Sequence, residues 1–203
     1  MNRAAFVSIA LAGFGLCQTT SAVQDIDAKS LSEDKISIID LSRPGVAGKT
    51  YLAATLMAAP MQKVCATIQN YPAYPKFMPN TDKAELVKTA SGDTQVDMTL
   101  KLPLGKIKKY RLQMEPRLSA QSCKLAWKML PRPELTPEET IADTTGYWLL
   151  TPWEADPAKT VVKYHVYSDP GPVPVGLGWI VDAMGKDSLP KALEALRGQV
   201  QKR

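Results

Sequence analysis

The chain has 203 residues, 45% hydrophobic and 22% charged, with a formal net charge of +5. That length and balance suit one domain with a sizeable core, and they exclude collagen, coiled-coil and low-complexity architectures. The basic residues are dispersed, so no nucleic-acid partner is expected, and one histidine with three cysteines leaves too few ligands to expect a metal or a cofactor.

Residues 1–22 open with basic Arg3 and continue as an apolar run from Ala4 to Leu16. They end on the small residues Thr20-Ser21-Ala22. This is the pattern of a cleaved export signal, and the run is shorter than the roughly 20 apolar residues of a permanent span. A lipoprotein signal on Cys17 is the alternative, but Leu16 stands where a small residue is wanted. The mature chain is expected to be 23–203, periplasmic or secreted. In an oxidising compartment Cys65 and Cys123 read as a candidate disulfide closing a loop of about 58 residues. Two buried small hydrophobes are the other reading.

Residues 23–34 are polar and read as a loose lead-in. Residues 35–41 predict a short strand, Arg43-Pro44-Gly45 a turn, and 49–58 a second strand. Met61, Val64, Cys65 and Ile68 then fall at i, i+3, i+4 and i+7, which predicts a helix to Asn70 opened by Pro60. Three prolines between Asn70 and Pro79 leave room for a short helix at most. Strands are predicted over 82–89, 94–102, 106–114, 122–130, 141–150 and 160–168. Alternation places Val96, Met98, Leu100 and Leu102 on one face, followed by Tyr110, Leu112 and Met114, then Cys123, Leu125, Trp127 and Met129. Asp169-Pro170-Gly171-Pro172 stops the last strand. Residues 173–203 predict one long amphipathic helix, with Pro190 kinking or interrupting it. The class is α+β: a curved antiparallel sheet of about six to seven strands, one or two short helices after the first strand, and a long C-terminal helix on the sheet's apolar face.

Four stretches resemble the helix-grip fold of the START-like superfamily, which also holds bacterial polyketide cyclases. They are Ala59-Pro60 with the helix to Asn70; Asn70-Tyr71 through Phe77-Met78-Pro79; Gly146-Tyr147-Trp148 on a late strand; and residues 168–197, where D-P-G is followed by L-P-x-x-L-x-x-L-R. Pro172 departs from the pattern, since relatives often carry Gly there. The resemblance covers nearly all of 23–203. It implies a cavity between sheet and long helix that holds a lipid or other hydrophobic molecule, although fold does not fix function. The side chains placed to line it are Met98, Leu100, Tyr110, Leu112, Leu125, Trp127, Met129, Trp148 and Tyr164 from the strands. Leu177, Val181 and Met184 would come from the helix. Taken singly, each of them reads first as core packing; taken as a set in this fold, they point to a cavity.

Catalysis is not expected. His165 shares a face with Lys163, away from Val162, Tyr164 and Val166, and reads as an outward, solvated histidine. Glu85, Asp97, Glu115, Glu134, Asp143 and Asp182 are scattered without a spacing that suits acid–base work. Gly176 and Gly178 read as close-packing or mobile positions at the cavity mouth. The basic run Lys106, Lys108, Lys109 and Arg111 reads as a solvated hairpin; a transient attraction to an anionic membrane surface is the sharper reading. The function that fits is binding, and carriage, of a lipid or hydrophobic small molecule. The alternatives are a cyclase or aromatase-type enzyme using an ionisable group in the cavity, with Tyr110, Tyr164 or an inward-facing His165 the candidates, and a non-binding adaptor whose cavity is filled.

Overall fold

The computed structural model describes residues 24–102, 105–172 and 185–202. The strands are β1 (Ser37–Asp40), β2 (Lys49–Met57), β3 (Thr81–Val87), β4 (Gln95–Lys101), β5 (Ile107–Leu118), β6 (Cys123–Leu130), β7 (Asp143–Trp153) and β8 (Asp156–Asp169). They form one antiparallel sheet in the order β1-β2-β8-β7-β6-β5-β4-β3. Six to seven strands were expected and the described residues hold eight, the four-residue β1 serving as an edge beside β2. From β3 to β8 each strand lies beside its predecessor, as short turns require. The chain crosses from β2 to the far edge at β3 through α1 (Met61–Gln69) and a 3-10 turn (Tyr71–Lys76).

The inner face carries the main core. The predicted stripe of α1, Met61, Val64, Cys65 and Ile68, is buried. It meets Leu189, Leu193, Leu196 and Val200 of the C-terminal helix α2 (Ser188–Gln201) over Leu125, Leu150 and Val162 of the sheet. A Cys65–Cys123 disulfide ties α1 to β6. Pro190 is the third residue of α2. There its missing N–H costs no intrahelical bond, so it sits in the first turn and does not interrupt the described helix. Residues 173–184 of the expected longer helix, with Leu177, Val181, Met184, Gly176 and Gly178, lie outside the described residues, as do residues 1–23.

Residues 24–34, expected to be loose, are held against the outer face. Ile26 and Leu31 are buried with Leu52, Ala54, Leu56 and Val161. Asp25 pairs with Lys163 at 2.7 Å and Glu33 with Lys159 at 2.7 Å. The fully buried Thr55 hydroxyl joins three elements: it lies 3.2 Å from the Ser32 carbonyl and 3.0 Å from that of Lys35, and it accepts from Arg197 Nη2 of α2 at 2.8 Å.

The last strand ends where the sequence says it should. The Asp169 carboxylate accepts from the Gly171 N–H at 2.9 Å, and Gly171 takes φ +76°. That conformation strains any residue with a Cβ.

Candidate functional site

Helices α1 and α2 cover the β2, β8, β7 and β6 part of the inner face. Towards β5, β4 and β3 the sheet is covered instead by the Tyr71–Lys76 turn, over a second apolar cluster of Tyr71, Ala84, Val96, Met98, Tyr110, Met114 and Ile141. Between the two regions lies a cavity of about 190 Å³.

Seven of the side chains expected from the strands line this cavity: Met98, Leu100, Tyr110, Leu112, Trp127, Trp148 and Tyr164. Leu125 does not; it is buried in the packed core beneath α1 and α2. Met129 does not either; it packs, half-buried, against the second cluster. The alternation had put them on the correct face of the strand but could not say what lay above each. Sequence reasoning missed Tyr71 and Tyr74 of the 3-10 turn with Met78 just after it, Ile141 and Thr144 beside the start of β7, and Ser188 and Ala192 of α2. The signal that could have found the first group is the aromatic spacing Tyr71-Tyr74-Phe77, whose rings meet edge-to-face in succession at 5.7 and 5.6 Å. Edge-to-face geometry suits their quadrupoles.

Cross-strand register explains the aromatic wall. Tyr110 faces Met98, Trp127 faces Gly146, and Trp148 faces Tyr164. Trp148 and Tyr164 stack with centroids 4.0 Å apart and planes 10° apart, and Trp127 leans on Tyr164 at 5.9 Å. Gly146 makes this possible: a Cβ there would collide with the Trp127 indole and with the His165 carbonyl. An aromatic side chain laid over a strand glycine shields the exposed backbone.

The cavity's polar groups are almost all phenols and hydroxyls. The Tyr74 hydroxyl donates to the Ile68 carbonyl at 2.6 Å. The Thr144 hydroxyl donates to the Tyr167 carbonyl at 2.8 Å. The hydroxyls of Tyr110 and Tyr164 have no hydrogen-bond partner among the described residues. Burial pushes Tyr71 and Tyr164 up to about 12 and raises Tyr110 as well, with Tyr164 nearby adding to it. All three are neutral near pH 7. None of the described lining residues carries a formal charge.

The charges lie elsewhere. On the outer face Asp97 accepts Arg111 Nε at 2.6 Å and Nη2 at 2.7 Å, and Arg132 Nη1 at 3.2 Å. The Arg111 hydrogen bond holds that carboxyl below the usual carboxylate range. Lys108 Nζ donates to the carbonyls of Thr140 at 2.5 Å and Pro137 at 3.2 Å. Two members of the basic run therefore have partners inside the molecule, so the run is not the freely solvated hairpin expected from sequence.

His165 is on the outer face, as alternation predicts, but it is not a freely solvated histidine. Its ring stacks on Tyr147 at 5.0 Å with planes 3° apart. Lys124 Nζ lies 4.6 Å from the centre of the Tyr147 ring. Nδ1 is buried with no partner among the described residues. Burial first, and the charge of Lys124 second, lower its pKa. It stands on the opposite face of the sheet from the cavity. Among the described residues no cluster of His, Cys, Asp and Glu could hold a metal ion.

The arrangement resembles solved structures in its fold. A STAR-related lipid transfer protein from Xanthomonas axonopodis superposes with a TM-score of 0.67 at 17% identity, over 89% of this chain and 97% of that one. Human StAR-related lipid transfer protein 5 gives 0.68 at 12% identity, over 82% of each chain. The Zhui aromatase/cyclase from Streptomyces gives 0.57 at 15% identity, over 83% of this chain and 96% of that one. No family model matches the chain, and no curated protein matches it in sequence. The fold is the START-like helix grip.

Proposed function

We propose that this chain binds a hydrophobic small molecule in the cavity beneath the Tyr71–Lys76 turn and the start of α2, and carries it outside the cytoplasm. The observation that carries this reading is the cavity of about 190 Å³ walled by apolar and aromatic side chains. An apolar molecule seated against such walls loses its contact with water and gains dispersion contacts. The names of the solved neighbours, lipid transfer proteins and an aromatase/cyclase, support a hydrophobic ligand in kind.

Export is part of the proposal. It rests on the apolar run from Ala4 to Leu16 and is supported by the Cys65–Cys123 bridge, since structural disulfides persist in oxidising compartments. The cyclase-type reading needs a group that exchanges a proton near neutral pH. The ionisable groups among the described lining residues are tyrosines, and burial moves Tyr71, Tyr110 and Tyr164 away from that range. Carriage therefore stands ahead of it.

The test is native mass spectrometry of the protein purified from its host compartment, followed by extraction and identification of any bound organic molecule. One co-purifying apolar molecule of defined mass per chain is the expected result. A protein that arrives empty and takes up nothing from a panel of lipids and isoprenoids overturns the reading.

A further inference from the structure

We infer that the ligand is a compact, uncharged molecule of one or two rings bearing a hydrogen-bond-accepting oxygen, held by the hydroxyls of Tyr110 and Tyr164, rather than a two-chain phospholipid. The inference rests on the cavity being a binding site and specifies what it takes.

Size is the first argument. A cavity of 150 Å³ accommodates benzene, and drug-sized ligands occupy roughly 300–1,000 Å³. About 190 Å³ falls between them. One or two fused rings fit; two acyl chains do not.

Charge is the second argument. The described lining residues carry no formal charge. A phosphate or carboxylate buried there would find no cation among the described lining residues to compensate its lost hydration. The nearby cations are committed, Arg111 and Arg132 to Asp97 on the outer face, and Lys108, opposite Leu100 on the inner face, to two backbone carbonyls.

Hydrogen bonding is the third argument. Tyr110 and Tyr164 are buried or half-buried, both line the cavity, and neither hydroxyl has a partner among the described residues. Tyr74, in the same wall, shows the contrast, because its hydroxyl is already committed to the Ile68 carbonyl. Neither hydroxyl is sealed from the cavity, and each is available to donate to an acceptor that enters it. A ligand carbonyl oxygen has two lone pairs and can accept from both. The stacked Trp148–Tyr164 rings, with Trp127 beside them, supply a flat aromatic wall against which a ring packs well.

The experiment uses matched probes on the purified protein after extraction of any co-purified material. The probes are 1-tetralone, tetralin (the same skeleton without the carbonyl) and vesicles of phosphatidylglycerol. Binding is read by titration calorimetry and by quenching of tryptophan fluorescence. 1-Tetralone is expected to bind on the order of tenfold more tightly than tetralin, since one net hydrogen bond is worth roughly fivefold and two phenols contribute. Tyr110→Phe and Tyr164→Phe keep the rings, and each should weaken 1-tetralone about fivefold while leaving tetralin unchanged. The wild-type comparison stands by itself if either variant misfolds. Equal affinity for 1-tetralone and tetralin overturns the inference and leaves a purely apolar binding site. Preferential uptake of phosphatidylglycerol also overturns it, and leaves a lipid carrier. Failure of all three probes to bind overturns the inference together with the function it rests on.

Discussion

Replacing Cys65 and Cys123 together by alanine should cost about 4 kcal/mol of unfolding free energy. The bridge joins α1 to β6 across a sequence separation of 58. In the chain-entropy relation a closed loop of that length removes about 14 cal/mol/K from the unfolded ensemble, which is about 4 kcal/mol at 25 °C. Both cysteines are buried, at 7% and 2% exposure, within the same core as Leu125 and Leu193. Loss of the two sulfurs adds a packing cost of the same sign. The assay is urea unfolding followed by far-ultraviolet circular dichroism and tryptophan fluorescence. With a slope of about 2 kcal/mol/M, the midpoint should fall by about 2 M. Three samples separate the causes: oxidised wild type, wild type with excess reductant, and the double alanine variant. Reduction should move the wild type most of the way to the variant and should leave the variant unchanged. A midpoint change below about 0.5 M in both arms, or about 1 kcal/mol at that slope, would refute the reasoning. It would mean that residual contact between α1 and β6 already closes this loop in the denatured ensemble.

Two further predictions concern the sheet. Gly146→Ala places a methyl group against the Trp127 indole and the His165 carbonyl; it should cost about 1–3 kcal/mol, as overpacking does, and shift tryptophan emission, whereas an unchanged urea midpoint would show that the indole has room to move. His165, with a pKa lowered by burial and by Lys124, is neutral in the folded chain at pH values where the unfolded chain takes up a proton. Its contribution is therefore fully present above about pH 6.5 and is lost as pH falls through the lowered folded value. Between pH 7.5 and 5.5 the wild type should lose more Tm than His165→Phe, which keeps a ring on Tyr147, and parallel curves for the two proteins would exclude the assignment.

Most of the sheet could be read from the sequence because its strands differ on their two faces. Alternation over 94–102 and 106–114 located β4 and β5 and assigned Val96, Met98, Tyr110 and Met114 to the buried side, where they are. Strand ends were harder to place where prolines read as breakers. Pro116 sits inside β5, but β4 pairs with β5 only as far as Gln113. Beyond that point β5 is an edge on that side, and a proline removes no ladder bond there. Pro157 lies just past the β7–β8 hairpin, where the register shifts. The lead-in is the more instructive miss. Its composition is polar, and Ile26 and Leu31 are isolated apolar residues. The information was in β2, whose sequence KTYLAATLM is buried from Tyr51 to Met57 without alternation. A strand apolar on both faces needs cover on both. On the outer face, Leu52, Ala54 and Leu56 are covered by the residues that precede β1.

The cavity was legible only as a set of faces. Leu125 and Trp127 are two residues apart on the same side of β6, yet Leu125 lies under the helices and Trp127 opens onto the cavity. No one-dimensional pattern separates them, because core and lining draw on the same side chains. The difference lies in what is overhead. α2 shows this within two turns: Leu193 is fully buried in the core, while Ser188 and Ala192 face the space beside it. The Tyr71–Lys76 turn, which closes the cavity's other side, has no helical or strand period to detect, because two prolines within it hold a 3-10 conformation. Alternation therefore found the wall but not the roof, and the roof supplies the tyrosines at positions 71 and 74. A substitution in that turn should change how the ligand enters or is held before it changes how the sheet folds, since the turn packs over β3 at the far edge of the sheet, away from the core shared by α1 and α2.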